Sequence, residues 1–301
     1  MAKPFLKWAG GKGQLIEKLA QLFPTEMYTG VIRKYVEPFI GGGALFFYVA
    51  QTFPSIQYFY ISDVNEELML VYKTIREDVD SLIALLQKIE KIYHDLGSLE
   101  QKEYYYKMRT TFNKKRQEID FRNLGQDWVE RTASIIFFNR TCFNGLFRVN
   151  SKGEFNVPFG DYKNPIICDD DNLRSVSQLL QITTIECADF TGYQQYVDNN
   201  TFVYFDPPYR PISKTASFTS YSKYNFNDDE QKRLADYYRS LHRKGAKLML
   251  SNSDPKNENP DDHFFEDLYH GFYIERVDAA RMINCNGAKR GKIKELVIAN
   301  Y

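Results

Sequence analysis

The tetrapeptide Asp206-Pro207-Pro208-Tyr209 carries the most specific chemistry in the sequence. It directly follows the apolar run Phe202 to Phe205, which reads as a strand, and ligands of open α/β sheets bind at the carboxyl ends of strands. An aryl amine is a poor nucleophile because its lone pair is delocalised into the ring. The Asp206 carboxylate can accept one of its N–H groups, and a backbone carbonyl of the proline pair, with Pro207 the candidate, can accept the other. Together they favour a pyramidal nitrogen whose lone pair points at a methyl group on a sulfonium. This is electrostatic and orientational catalysis without a covalent intermediate. The prolines fix φ and remove competing N–H donors. Tyr209 offers a ring face to a base swung out of its stack. An Asp-Pro turn beside a surface tyrosine would read the same way.

Three further segments hold chemistry-bearing residues. In Val36-Glu37-Pro38-Phe39-Ile40-Gly41-Gly42-Gly43-Ala44 a strand runs through glycines into a helix. Glycines let the backbone approach a ligand, and the helix start supplies N–H groups. Asp63, at the end of the next strand, can hydrogen-bond both hydroxyls of a ribose. The pairing also fits a dinucleotide oxidoreductase, although Phe46 stands where the third glycine of G-x-G-x-x-G belongs. Close packing alone would also explain the glycines. In Phe5-Leu6-Lys7-Trp8-Ala9-Gly10-Gly11-Lys12, Trp8 can pack against an adenine or a methionine moiety and Lys12 can meet a ligand carboxylate. The stretch lacks the glycine spacing and the Ser/Thr of a P-loop, and a buried Trp beside a turn is the plainer reading. The segment from Asn139-Arg140-Thr141-Cys142-Phe143-Asn144-Gly145-Leu146-Phe147-Arg148 to Pro158-Phe159-Gly160-Asp161-Tyr162 mixes Arg, Asn and aromatics with turn formers. Arg148 can make a bidentate bond to guanine, and Phe143 can wedge into an opened base stack. A polar hairpin packed on the rest of the chain is the competing view.

These residues need a scaffold. Strand patterns at 34–37 and 57–62 flank a helix pattern at 44–52, a βαβ unit. Further strands are expected at 182–187, 201–205, 247–251, 272–277 and 296–301, with a polar amphipathic helix at 228–243. That order predicts a parallel sheet with helical crossovers, closed by late strands of undetermined direction. Between the two groups, helix formers at 79–92, 100–119 and 128–142 precede the turn-rich segment 144–162. The expected organisation is one domain from 1–70 and 165–301, with a module at 71–164 inserted between its halves.

Composition excludes more than it selects. The 301 residues include 43% hydrophobic and 26% charged residues, an ordinary globular balance. No apolar stretch is long enough for a bilayer, and the N-terminus lacks a signal-peptide centre; a cytoplasmic location is expected. Cys142, Cys168, Cys187 and Cys285 lack zinc-site spacing and read as reduced thiols. None follows a proline, so the Pro-Cys nucleophile of cytosine-C5 methylases is missing. Net charge is zero, which does not advertise nucleic-acid binding. Two basic runs, Lys114-Lys115-Arg116 and the segment from Arg281 to Lys294 with Lys289, Arg290 and Lys292, fit solvated faces as well as phosphate contacts.

Taken together and in this order, the four segments resemble the DNA adenine methylase (Dam) family of amino-methyltransferases, in its α-type arrangement. The match spans nearly the whole chain. The resemblance implies a Rossmann-like, S-adenosylmethionine-dependent methyltransferase fold with a mixed seven-stranded sheet and an inserted helical and hairpin DNA-recognition domain. It implies S-adenosylmethionine held by Trp8, Ala9, Gly10, Lys12, Glu37, Phe39, Gly41, Gly43, Asp63, Asp189, Phe190 and Asp206, with no metal. Catalysis would fall to Asp206, Pro207, Pro208 and Tyr209. Dam-like enzymes recognise GATC in double-stranded DNA, and the matching residues here are Lys7, Phe143, Asn144, Leu146, Arg148, Pro158 and Tyr162. By that match Phe143 intercalates, Asn144 touches phosphate and Arg148 reads guanine, while Lys7 and the Leu146–Pro158 pair serve flanking base pairs. A monomer, with a cognate restriction endonuclease as a possible partner, is the implied assembly. Phe143 stands where the family often has tyrosine. Residues 95–125 show no family motif, and 213–226 resemble the family's mobile loop. Three rivals stay open: an enzyme acting on RNA adenine or cytosine N4, a dinucleotide oxidoreductase, and a catalytically silent DNA-binding module.

Overall fold

The computed structural model describes residues 1–210, 226–280 and 292–301. Seven strands form a single sheet: β1 (Lys34–Glu37), β2 (Tyr58–Asp63), β3 (Thr183–Cys187), β4 (Thr201–Phe205), β5 (Lys247–Ser253), β6 (Tyr273–Ala280) and β7 (Lys292–Ala299). Their order is β3-β2-β1-β4-β5-β7-β6. The first five run parallel, and β7 is antiparallel to both β5 and β6. The sheet is therefore mixed, as expected.

Alternation along the central strands places their side chains on two faces. Tyr35, Phe202, Tyr204 and Met249 enter one core, while Val36, Val203, Phe205, Leu248 and Leu250 enter the other. With apolar residues on both faces, these strands read as continuous apolar runs, the mark of a sheet covered on both sides. Short helices α1 (Ile16–Gln21) and α2 (Thr25–Tyr28) precede β1, which runs through the glycine turn into α3 (Ala44–Thr52), and α9 (Asp228–Arg243) links β4 to β5. Asn227 caps α9 by accepting from the backbone N–H groups of Asp229 and Glu230, which stiffens the return to the sheet.

Between β2 and β3 lie α4 (Glu66–Glu77), α5 (Val79–His94), α6 (Ser98–Lys115), α7 (Gln126–Thr141) and α8 (Asp170–Leu180). Helices α4 and α8 are additions to the sequence reading. The first core continues through this region without a break, taking in Ile61 and Phe59 of β2 together with Phe137, Phe138 and Phe155. A buried ion pair fixes α7 on α4. Arg131 Nε donates to Glu67 Oε2 at 2.9 Å, its Nη2 reaches the other carboxylate oxygen, and the guanidinium lies 3.5 Å from the Phe112 ring. After α7 the chain is held by two isolated bridges, Cys142 with Phe159 and Val149 with Phe155, rather than by a full hairpin ladder.

The last strand differs from expectation: β7 begins at Lys292 and ends at Ala299 instead of spanning 296–301. Its polar start, Lys292-Ile293-Lys294-Glu295, pairs with β6, and this pairing supplies the extended structure that the local composition does not signal. Among the described residues no helix is long and apolar enough to cross a membrane. The expected loop residues 213–225 and the basic residues Arg281, Lys289 and Arg290, with Cys285, lie outside the described residues.

Candidate active site

The carboxyl edge of the parallel strands gathers most of the chemistry-bearing side chains. Asp206 follows β4, the glycine turn follows β1, Asp63 ends β2, and Asp189 and Phe190 follow β3. Because β7 runs the opposite way, its amino-terminal part reaches this same edge, and Glu295 stands opposite Ser253, the last residue of β5.

At the centre, Lys12 Nζ lies 2.8 Å from Asp206 Oδ1 and 3.9 Å from Glu295 Oε2. It also donates to the Gly10 carbonyl at 3.1 Å and sits 4.5 Å from the centroid of the Tyr209 ring. The Tyr209 hydroxyl donates to Glu295 Oε2 at 2.7 Å. Burial, and then the nearby Asp206 and Glu295 carboxylates, push the Tyr209 phenol well above its ordinary range, so it remains a donor. Burial pushes Asp206 up to about 6; Lys12 opposes that rise and Glu295 adds to it. Glu37 is buried beneath this cluster and accepts from the Tyr35 hydroxyl at 2.6 Å. Burial raises its carboxyl well above the ordinary range.

The two prolines are not equivalent. Gln231 of α9, fully buried, donates to the Pro208 carbonyl at 3.2 Å. The Pro207 carbonyl takes no part in that bond. Arg210, the next residue after Tyr209, binds Asp228 at 2.8 Å and Asp262 at 2.8 Å and lies over the Phe264 ring. The tetrapeptide is thus anchored from its carboxyl side.

The turn after β1 is a cradle. Gly41 has φ of 48°, and a Cβ there would fall 3.0 Å from Trp8 Cδ1. Its N–H donates to Asp63 Oδ2 at 3.3 Å, and its carbonyl accepts from Tyr72 at 3.1 Å. Asn65 N–H donates to the other Asp63 oxygen at 3.0 Å. Burial outweighs these bonds and lifts Asp63 to about 6. Across the cradle, Phe39 stacks on Phe190 with centroids 5.6 Å apart, and Arg233 pairs with Asp189 through two contacts of 3.0 and 2.7 Å. That guanidinium holds the Asp189 carboxyl below its ordinary range.

A second group of residues meets on one surface beside this edge. Buried Asn139 accepts from the Lys7 N–H and donates to the carbonyls of Lys7 and Gly145, each at 2.8 Å. It thereby ties the N-terminal segment to the turn at 143–146. Trp8 stacks on Phe147, centroids 6.0 Å apart. The Phe143 N–H donates to the Pro158 carbonyl at 2.8 Å, so Phe143, Asn144 and Pro158 lie together. Phe143 is 56% exposed, although a free aromatic ring gains by burial. Asn144 adopts a left-handed φ of 60°. Lys7, Arg148 and Tyr162 are exposed, and Arg148 Nε donates to Asn156 at 2.9 Å. The basic run at the end of α6 is partly spent on structure, with Lys115 paired to Glu130 and Arg116 3.7 Å from Glu67.

Sequence reasoning missed Glu295 and the tie made by Asn139. Asn139 stood inside a recognised segment and gave no separate signal. Glu295 depends on strand direction, which the late pattern left open.

Among the described residues Cys142, Cys168 and Cys187 are free, with Cys142 buried and Cys187 exposed. Burial raises the Cys142 thiol to about 11, which disfavours a nucleophilic thiolate.

Residues 8–283 match the family of D12 class N6 adenine-specific DNA methyltransferases. The Type II methyltransferase M.MjaIII of Methanocaldococcus jannaschii is 53% identical over 99% of both chains. The Type II methyltransferase M1.LlaDCHI of Lactococcus lactis is 39% identical over 99% of this chain and 95% of its own. The DNA adenine methylase of Haemophilus influenzae is 32% identical over 98% of this chain and 92% of its own. The oxidoreductase reading of the glycine turn and the silent-module reading of the chain are set aside by this breadth of match. The chain belongs to the D12 class of N6 adenine-specific DNA methyltransferases.

Proposed function

We propose that this adenine methyltransferase acts on GATC in double-stranded DNA, uses S-adenosylmethionine, and extrudes the target adenine to reach it. The observation that carries the reading is the convergence of Asp206, the proline carbonyls and Tyr209 at the carboxyl edge of β4, beside Lys12.

The residues around the cradle fit the proposed methyl donor. With φ of 48° and Trp8 Cδ1 3.0 Å from the place of a Cβ, a side chain at Gly41 would be strained, and a bare glycine turn lets a ligand approach its backbone. Asp63 ends the strand where a ribose would be gripped. The Phe39–Phe190 stack with Asp189 offers an aromatic wall and an acceptor for an adenine amine. Lys12, with Ala9 and Gly10 leading to it, suits the amino-acid carboxylate. Glu37 and Gly43 support the turn from below. When bound, S-adenosylmethionine supplies an electrophilic methyl group on a sulfonium.

The remaining work belongs to the chain. Asp206 accepts one N–H of the target amine and the Pro207 carbonyl accepts the other, because the Pro208 carbonyl is already engaged by Gln231. Two acceptors at fixed angles localise the nitrogen lone pair and stabilise the positive charge that develops on it. Tyr209 stacks on the extruded base, and the exposed Phe143 fills the gap in the duplex. Arg148 reads a guanine, Asn144 meets phosphate, and Lys7, Leu146, Pro158 and Tyr162 flank them. One chain carries both groups of residues, which supports action as a monomer. The Type II names of two relatives support a restriction endonuclease as functional partner.

The test is transfer of radiolabelled methyl from S-adenosylmethionine to paired duplexes with and without GATC. Label confined to GATC duplexes and recovered as N6-methyladenine is expected. Equal label in duplexes lacking GATC would overturn the specificity, and absence of label in any DNA would overturn the reading.

A further inference from the structure

We infer that Glu295 is a positioning residue that adds a second carboxylate to the transfer site, giving the Lys12–Asp206–Glu295 cluster one net negative charge and the site a preference for a sulfonium over the neutral thioether left after transfer. The inference deepens the functional reading above and rests on it. Three charged groups meet here among the described residues. The Asp206 and Glu295 carboxylates face one ammonium, Lys12, at 2.8 and 3.9 Å. Their side chains are 18%, 13% and 5% exposed respectively, so water screens them weakly. Glu37, held against the Tyr35 hydroxyl, lies buried beneath them, and burial pushes its carboxyl well above the ordinary range. Lys12 can neutralise only one of the two carboxylates, and Asp206 is the closer. Glu295 supplies the second negative charge and, through the Tyr209 hydroxyl at 2.7 Å, fixes the tilt of the ring.

A methyl donor and its demethylated product share the adenosine and the amino acid. They differ by one methyl group and one positive charge at sulfur. Removing one carboxylate from a partly buried site weakens attraction for that charge and leaves the shared contacts alone. Lys12 acts with the opposite sign on the same quantity. Its contact with the ligand carboxylate, common to both molecules, cancels in their ratio.

Dissociation constants of S-adenosylmethionine and S-adenosylhomocysteine are measured by calorimetry at pH 8 without DNA. For Glu295→Gln the preference for the sulfonium is expected to fall about tenfold, while Tyr209→Phe, which removes the hydrogen bond and keeps the charge, leaves it unchanged. Lys12→Gln is expected to raise it, so the inference stays testable should Glu295→Gln not fold. An unaltered ratio in both charge variants, or a fall in Tyr209→Phe equal to that in Glu295→Gln, would overturn the role of Glu295. Failure of the native protein to bind either molecule would instead overturn the functional reading, and this inference with it.

Discussion

Lys12, ahead of the first strand, and Asp206, at the carboxyl end of the central strand β4, form a 2.8 Å ion pair. The pair explains why a carboxylate can survive in so enclosed a place. Burial favours the neutral acid, and the adjacent ammonium recovers part of the lost solvation.

The balance predicts a pH profile. Asp206 is raised from the ordinary 3.8 to about 6. The protonated acid loses its charge and its full acceptor capacity, so activity should rise with pH through about 6 and then level. Asp63 is raised in the same direction, also to about 6. Single-turnover rates at saturating DNA and donor should therefore report mainly Asp206, while kcat/KM for the donor falls more steeply in acid. Lys12→Gln removes the opposing ammonium and should move the single-turnover midpoint upward. A profile flat between pH 5 and 8 would contradict this.

Arg148 is exposed, and its Nε donates to Asn156 Oδ1 at 2.9 Å. Arg148→Ala should cost about 1–3 kcal/mol of discrimination at one guanine of the site. Competition between GATC and singly substituted duplexes measures it. Uniform weakening across all sequences would make Arg148 a phosphate contact.

The Arg131–Glu67 pair is buried and joins α7 to α4. Arg131→Ala leaves the buried Glu67 carboxylate facing Arg116 at 3.7 Å in place of its close bidentate partner, and urea denaturation should show a loss of about 3–5 kcal/mol. The double variant Arg131→Met, Glu67→Leu should recover much of that loss, since the charge that remains, Arg116, is partly exposed.

Much of the site was legible in the sequence because it sits on local signals. Asp206 follows an apolar run, Gly41 lies in the glycine turn after β1, and Asp63 ends β2. The boundaries of β1, β4, α3 and α9 agree with the sequence reading for the same reason. What escaped notice depended on tertiary context. Helix α8 opens with two acidic residues, Asp170 and Asp171, and its buried face mixes Asn172 and Ser177 with Leu173, Val176 and Leu180. The polar start of β7 is a strand because β6 pairs with it, and its antiparallel direction alone brings Glu295 to Tyr209. Asn139 shows its value only once Lys7 and Gly145 are seen on either side of it.

The central claim is that the Asp206 carboxylate grips the adenine amine during transfer. Single-turnover methylation by Asp206→Ala, compared with its affinity for a GATC duplex, tests it most directly. The account predicts that N6-methyladenine formation is abolished while duplex affinity changes by less than about tenfold. A variant that methylates at a rate near that of the native protein would contradict it.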